Sequence, residues 1–158
     1  MKLYVVRHAE PAHVVDDPLC GLTEQGFADA RKIGQFLQAA GIYITHIMHS
    51  DKLRAQQTAS LLADSLNIDH TTETDNLLRS EADVMPLIDR VNTWTDDTLL
   101  VGHLPFLSRF VSGLVLDNPD GGELVTFAPC TVVCLGQSED RRWHIDWVVK
   151  PRLLPRTE

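Results

Sequence analysis

The chain has 158 residues, 44% apolar and 23% charged, which suits one folded domain over residues 1–158 with a sizeable core and argues against extended disorder. Lys and Arg total 14 against 22 Asp and Glu, and the formal net charge of -8 argues against the broad basic face that a nucleic-acid partner normally requires. It does not exclude one compact anion held by a few converging cations, because the local field of a cleft outweighs the global sum.

Residues 3–6 form an apolar run that stops at Arg7-His8, the pattern of a strand buried on both faces. The run is too short for a signal peptide, and no other approaches the roughly 18 residues of a spanning helix, so a cytoplasmic protein with no membrane partner is expected. Residues 10–22, with Pro11, Pro18 and Gly21, read as loop. Thr23 is placed to cap a helix over 24–40, whose Phe27, Ala30, Ile33, Leu37 and Ala40 share one face and which Gly41 can end.

A second strand is expected over 44–48, after which Ser50 reads as the cap of a helix over 51–66 with Arg54 in its first turn. A weak strand at 70–72 and an irregular stretch through Arg79 lead to a helix over 82–94, striped by Val84, Leu87, Ile88 and Val91. Residues 98–101 are a further buried strand ending at Gly102-His103, and 104–115 a helix with Pro105 in its first turn, where a missing N–H is tolerated. A turn at 118–122 precedes three expected strands at 123–127, 131–135 and 143–149. Alternation along the last puts Trp143, Ile145 and Trp147 on one face and His144 and Asp146 on the other. On a strand, Cys130 and Cys134 would stand roughly 13 Å apart, too far to pair, so the cysteines read as reduced core thiols.

Strand-helix alternation followed by late antiparallel strands predicts a three-layer α/β/α sandwich with a mixed, mostly parallel sheet and antiparallel edge strands. In such folds ligands bind beyond the carboxyl ends of the strands, where Arg7-His8, Ser50 to Arg54, and Gly102-His103 all fall. Singly, each has an ordinary structural explanation. Together, two guanidiniums and two imidazoles in one crevice repel unless an anion sits among them, and phosphate suits the Arg forks.

Arg7-His8-Ala9, the stretch from Ser50 to Ala59, and Gly102-His103 resemble the histidine phosphatase (phosphoglycerate mutase-like) superfamily. The short chain and Val101-Gly102-His103-Leu104-Pro105 are most similar to its SixA-type phosphohistidine phosphatase branch. The resemblance implies a metal-independent phosphatase without cofactors, with His8 as nucleophile and Arg7, Arg54 and His103 as the phosphate clamp. Ala9 departs from it, since glycine is the commoner residue there.

The implied reaction is attack by a neutral His8 imidazole, its second nitrogen held by a fixed acceptor, followed by hydrolysis of phospho-His8. Arg7 and Arg54 favour the neutral form, and clamp cations stabilise the equatorial oxygens. Relatives that cleave esters carry an acid between the second and third helices. Asp75, Glu81 and Asp83 lie there, with Glu81 and Asp83 the candidate general acids, although acidic residues ahead of a helix also serve as caps. The expected substrate is phosphohistidine on a protein partner; the alternatives are a small phosphate ester or phosphate binding without chemistry. His46 and His49 should face opposite ways, a poor chelating pair, while His13 and His49 are placed to approach the pocket mouth. No Walker loop, dinucleotide fingerprint or zinc signature is present.

Overall fold

A computed structural model of the chain describes residues 1–13, 17–74 and 76–156. Among these, six strands and four α-helices alternate: β1 (Lys2–Arg7), α1 (Glu24–Ala39), β2 (His46–His49), α2 (Leu53–Leu66), β3 (Thr72–Glu73), α3 (Met85–Val91), β4 (Thr98–Gly102), α4 (Phe106–Leu116), β5 (Val132–Gln137) and β6 (Trp143–Val149). They build one sheet in the order β3-β2-β4-β1-β5-β6. The pairs β1–β4, β2–β4 and β2–β3 are parallel, whereas β5 and β6 add antiparallel at one end. This is the mixed, mostly parallel sheet expected.

Period-two alternation feeds two cores. From β1, Tyr4 and Val6 meet Ala30, Ile33 and Leu37 of α1 and Ala55, Ala59 and Leu62 of α2. Leu3 and Val5 face the other way, onto Leu87, Ile88 and Val91 of α3 and Phe106 and Phe110 of α4. The sheet is therefore covered on both sides, which is why the runs in β1 and β4 are continuously apolar.

The register gathers the strand ends. Arg7 lies opposite Gly102, and His49 opposite Val101, so the C-terminal ends of β1, β4 and β2 share one edge. Thr23 caps α1 as expected, its hydroxyl accepting from the Gly26 amide at 3.0 Å, and Gly41 follows the helix with φ of +73°. Gly26 also seats α1 on the loop after β1, because a Cβ there would come within 2.5 Å of the Glu10 carbonyl oxygen.

Several expectations are corrected. Residues 123–127 form no strand: Val125 and Phe127 bury their side chains while the backbone stays irregular. Trp147 does not share a core with Trp143 and Ile145. A bulge pairs Cys134 with Trp147 and Leu135 with Ile145, leaving Asp146 as the extra residue. Trp147 thereby joins Tyr4 and Phe36 on the α1–α2 side, while Trp143 and Ile145 pack on the other.

The helix expected over 82–94 is shorter. Its start is delayed to Met85, whose amide donates to Asp83 Oδ1 at 3.1 Å, and after Val91 the amides of Thr93 and Trp94 bond three residues back instead of four. α4 begins at Phe106, one residue beyond Pro105. Cys130 is not on β5 but precedes it in a left-handed conformation, φ of 62°, and all three cysteines are free. Among the described residues no helix is long and apolar enough to cross a membrane.

Candidate active site

The segment leaving β1 is pinned on every side by backbone hydrogen bonds. The Arg7 amide donates to Thr131 O at 3.1 Å and the His8 amide to Gly102 O at 3.0 Å, while the Cys130 amide donates to both the Arg7 and His8 carbonyls at 3.1 Å. His8 is consequently held where β1 and β4 end together, and it is only 5% exposed.

The imidazole of His8 donates from Nδ1 to its neighbour's carbonyl, Ala9 O, at 2.7 Å. With Nδ1 carrying the hydrogen, the lone pair resides on Nε2. Burial is the main force pulling the His8 pKa down to about 4; the hydrogen bond to Ala9 O opposes it, and the Arg7 and Arg54 charges lower it further. The sequence pointed to the two arginines as what keeps the ring neutral. Desolvation contributes more.

Arg7, half-buried, donates from Nη1 to Phe127 O at 2.7 Å, and its buried Nε has no partner among the described residues. A buried donor left unmade costs of order 1–3 kcal/mol, and a phosphoryl oxygen is the acceptor that fits a guanidinium fork. Arg54 lies in the first turn of α2, as expected, and donates from Nη1 to Asp17 O at 3.1 Å. His103 follows β4 and is 2% exposed, its ring centroid 5.0 Å from that of His8. The four residues singled out from the sequence do converge.

A family model of the histidine phosphatase superfamily (branch 1) matches residues 3–84, more than half of the chain. The chain belongs to the histidine phosphatase superfamily. This histidine phosphatase is similar to phosphohistidine phosphatase SixA of Escherichia coli (strain K12), 26% identical over 156 residues that cover 96% of this chain and 94% of that protein. Its fold is similar to that of the protein histidine phosphatase SixA complexed with tungstate, with a TM-score of 0.86 and 22% identity over 98% of this chain and 100% of that one. A phosphoserine phosphatase mutant from Entamoeba histolytica in complex with phosphoserine superposes with a TM-score of 0.73 at 12% identity, over 98% and 99% of the two chains. At these identities the two structures speak to fold alone.

Two buried hydroxyls in this histidine phosphatase escaped the sequence reading. Ser50, expected to cap α2, does not: Lys52 is the cap residue, and Ser50 Oγ is bonded instead to His103 Nε2 at 2.5 Å. Thr58 Oγ1 accepts from the Ala9 amide at 3.0 Å and donates to Arg54 O at 2.8 Å, tying the loop that follows His8 to the turn that carries Arg54. Its spacing of four from Arg54 was the available signal, since Ser and Thr bond back to the carbonyl four residues earlier in a helix.

The remaining candidates are placed less centrally. Glu81 and Asp83 are exposed and line a groove of about 460 Å³ with Asn76, Leu77, Arg79 and Pro86, a lining that includes none of the four convergent residues. Asp75 lies outside the described residues. His49 is buried, with Nδ1 on Ser50 O at 2.8 Å and Nε2 on Thr71 Oγ1 at 3.1 Å, so both nitrogens are engaged locally. His46 is exposed and bonded to Thr45, and among the described residues no group of three or more potential metal ligands gathers. His13 is exposed on the loop after His8.

Proposed function

We propose that this chain removes phosphate from phosphohistidine on a protein partner, through a covalent phospho-His8 intermediate. The observation that carries the reading is a buried imidazole kept neutral, with its Nδ1 hydrogen committed to Ala9 O, beside Arg7, Arg54 and His103. A neutral ring with one nitrogen tied is a nucleophile at the other. In the first step the Nε2 lone pair of His8 forms a bond to phosphorus as the P–N bond of the substrate breaks, and the substrate imidazole, protonated on its other nitrogen, departs neutral with that electron pair. Water then attacks phospho-His8, releasing phosphate and restoring the ring.

Arg7, Arg54 and His103 act on the oxygens. Charge spread over the equatorial oxygens is the main feature to be stabilised in phosphoryl transfer, and fixed donors in a buried site do this without reorganising. The phosphohistidine specificity is supported by the similarity over nearly the whole chain to a protein named for that activity. It is also supported by the hydrogen bond that engages Asp83 Oδ1 with the Met85 amide and by the exposure of Glu81, which suit a leaving group that needs no committed acid.

Rapid quench with isotopically labelled phosphoryl donor tests the reading. A phosphoprotein labile in acid and stable in alkali is expected in the wild type and absent from His8→Ala. Normal turnover by His8→Ala would overturn it.

A further inference from the structure

His103 has two ring nitrogens, and which of them carries the hydrogen decides what it offers a phosphoryl oxygen. Ser50 is fully buried at the end of β2, beside the strand end that carries His103, and its hydroxyl sits 2.5 Å from His103 Nε2. The hydroxyl has one proton to give and two lone pairs to fill. Among the described residues Ser50 Oγ has two hydrogen-bond partners. The Lys52 amide, at 3.3 Å, can only donate to it, so the partner able to take the hydroxyl proton is His103 Nε2.

A fully buried hydroxyl gives its proton to whatever acceptor it has, because an unmet donor in the interior is costly. Nε2 of the neutral ring is then an acceptor, and the ring hydrogen must be on Nδ1. We propose that Ser50 is a positioning residue of the phosphate site, whose buried hydroxyl fixes the ring plane of His103 and holds it as the Nδ1–H tautomer so that Nδ1 donates to the phosphoryl group. The proposal rests on the phosphatase reading above, since the tautomer matters to function only if His103 meets a phosphoryl oxygen.

The test reads His103 directly. Ring-nitrogen chemical shifts of uniformly isotope-labelled protein report the tautomer in the wild type, Ser50→Ala and Ser50→Cys, each without and with inorganic vanadate. The wild type should show the Nδ1–H form, and Ser50→Ala should lose that preference. With an activated aryl phosphate, Ser50→Ala should lower kcat about 10- to 100-fold while KM changes less than about threefold, the signature of a group acting in the transition state. Ser50→Cys keeps the side-chain volume with only a weak donor, so it should retain most of the deficit.

An unchanged Nδ1–H signal in Ser50→Ala, a kcat within twofold of the wild type, or full recovery in Ser50→Cys would each overturn the proposal, the last by showing that volume alone matters. Should the wild type turn over no phosphoryl compound, the phosphatase reading falls. The tautomer comparison would still decide whether Ser50 orients His103.

Discussion

Keeping His8 neutral has a thermodynamic consequence that can be measured without any substrate. Its pKa falls from an ordinary value of ~6.5 in the unfolded chain to about 4 in the folded one. Between those values the unfolded state binds the proton and the folded state does not, so folding stability rises with pH through this window. The favourable term is fully present above pH ~6.5. It is lost progressively as pH falls, and the loss is complete below about pH 4, where both states are protonated. The whole shift is worth roughly 3 kcal/mol, and at pH 5 about 2 kcal/mol of it is already gone. Because His8 is only 5% exposed, solvent screening does little to reduce this.

The assay compares urea unfolding of the wild type and His8→Asn at pH 7 and pH 5, in a buffer free of phosphate. Other groups titrate in both proteins, so the difference between them isolates His8. At a slope of ~2 kcal/mol per molar urea, the midpoint of the wild type should drop by on the order of 1 M more than that of the variant. An NMR titration of the His8 ring should place its midpoint near 4 in the folded protein. A midpoint above about 6, or identical pH dependence in the two proteins, would refute the idea that burial holds His8 neutral.

The other predictions concern catalysis. Arg54→Ala and His103→Ala should each slow kcat/KM by roughly ten- to several-thousand-fold as one or two charged hydrogen bonds of ~1.5–3 kcal/mol are lost; Arg54→Ala should leave the urea midpoint nearly unchanged, whereas His103→Ala should lower it because the buried Ser50 hydroxyl loses its acceptor, and a variant that stays folded and fully active would overturn that residue's role. Phosphate and vanadate should inhibit and chelators should not, and inactivation by chelation would point to a metal enzyme. Across leaving groups, phosphohistidine should turn over fastest, aryl phosphates next and alkyl phosphates slowest, because general acid catalysis is typically worth ~10²–10⁴-fold and imidazole needs little of it. Glu81→Gln and Asp83→Asn should leave phosphohistidine turnover nearly intact; if either abolishes alkyl phosphate turnover, that residue is the acid and the ester-cleaving alternative gains.

The parts of this protein that follow local rules were legible without coordinates. The cap at Thr23 and the stripe of Ala30, Ile33 and Leu37 each depend on neighbours within a turn or two, and the continuous burial of β1 follows from an unbroken apolar run. The convergence of Arg7, His8, Arg54 and His103 was also readable, because strand-end residues in an alternating α/β chain share one edge whatever the details of packing.

Tertiary structure alone decided what depends on partners distant in the chain. Ser50 has the sequence context of a helix cap, yet its hydroxyl goes to His103, 53 residues away. Residues 123–127 have strand character, but in the completed fold they pair with none of the six strands and bury Val125 and Phe127 from irregular backbone. Trp147 alternates in phase with Trp143 and Ile145, and only the pairing of β6 with β5 introduces the bulge at Asp146 that turns it to the opposite core. Periodicity and capping are written in the spacing of residues, whereas a hydrogen-bond partner or a sheet edge is supplied by whatever the completed fold brings alongside.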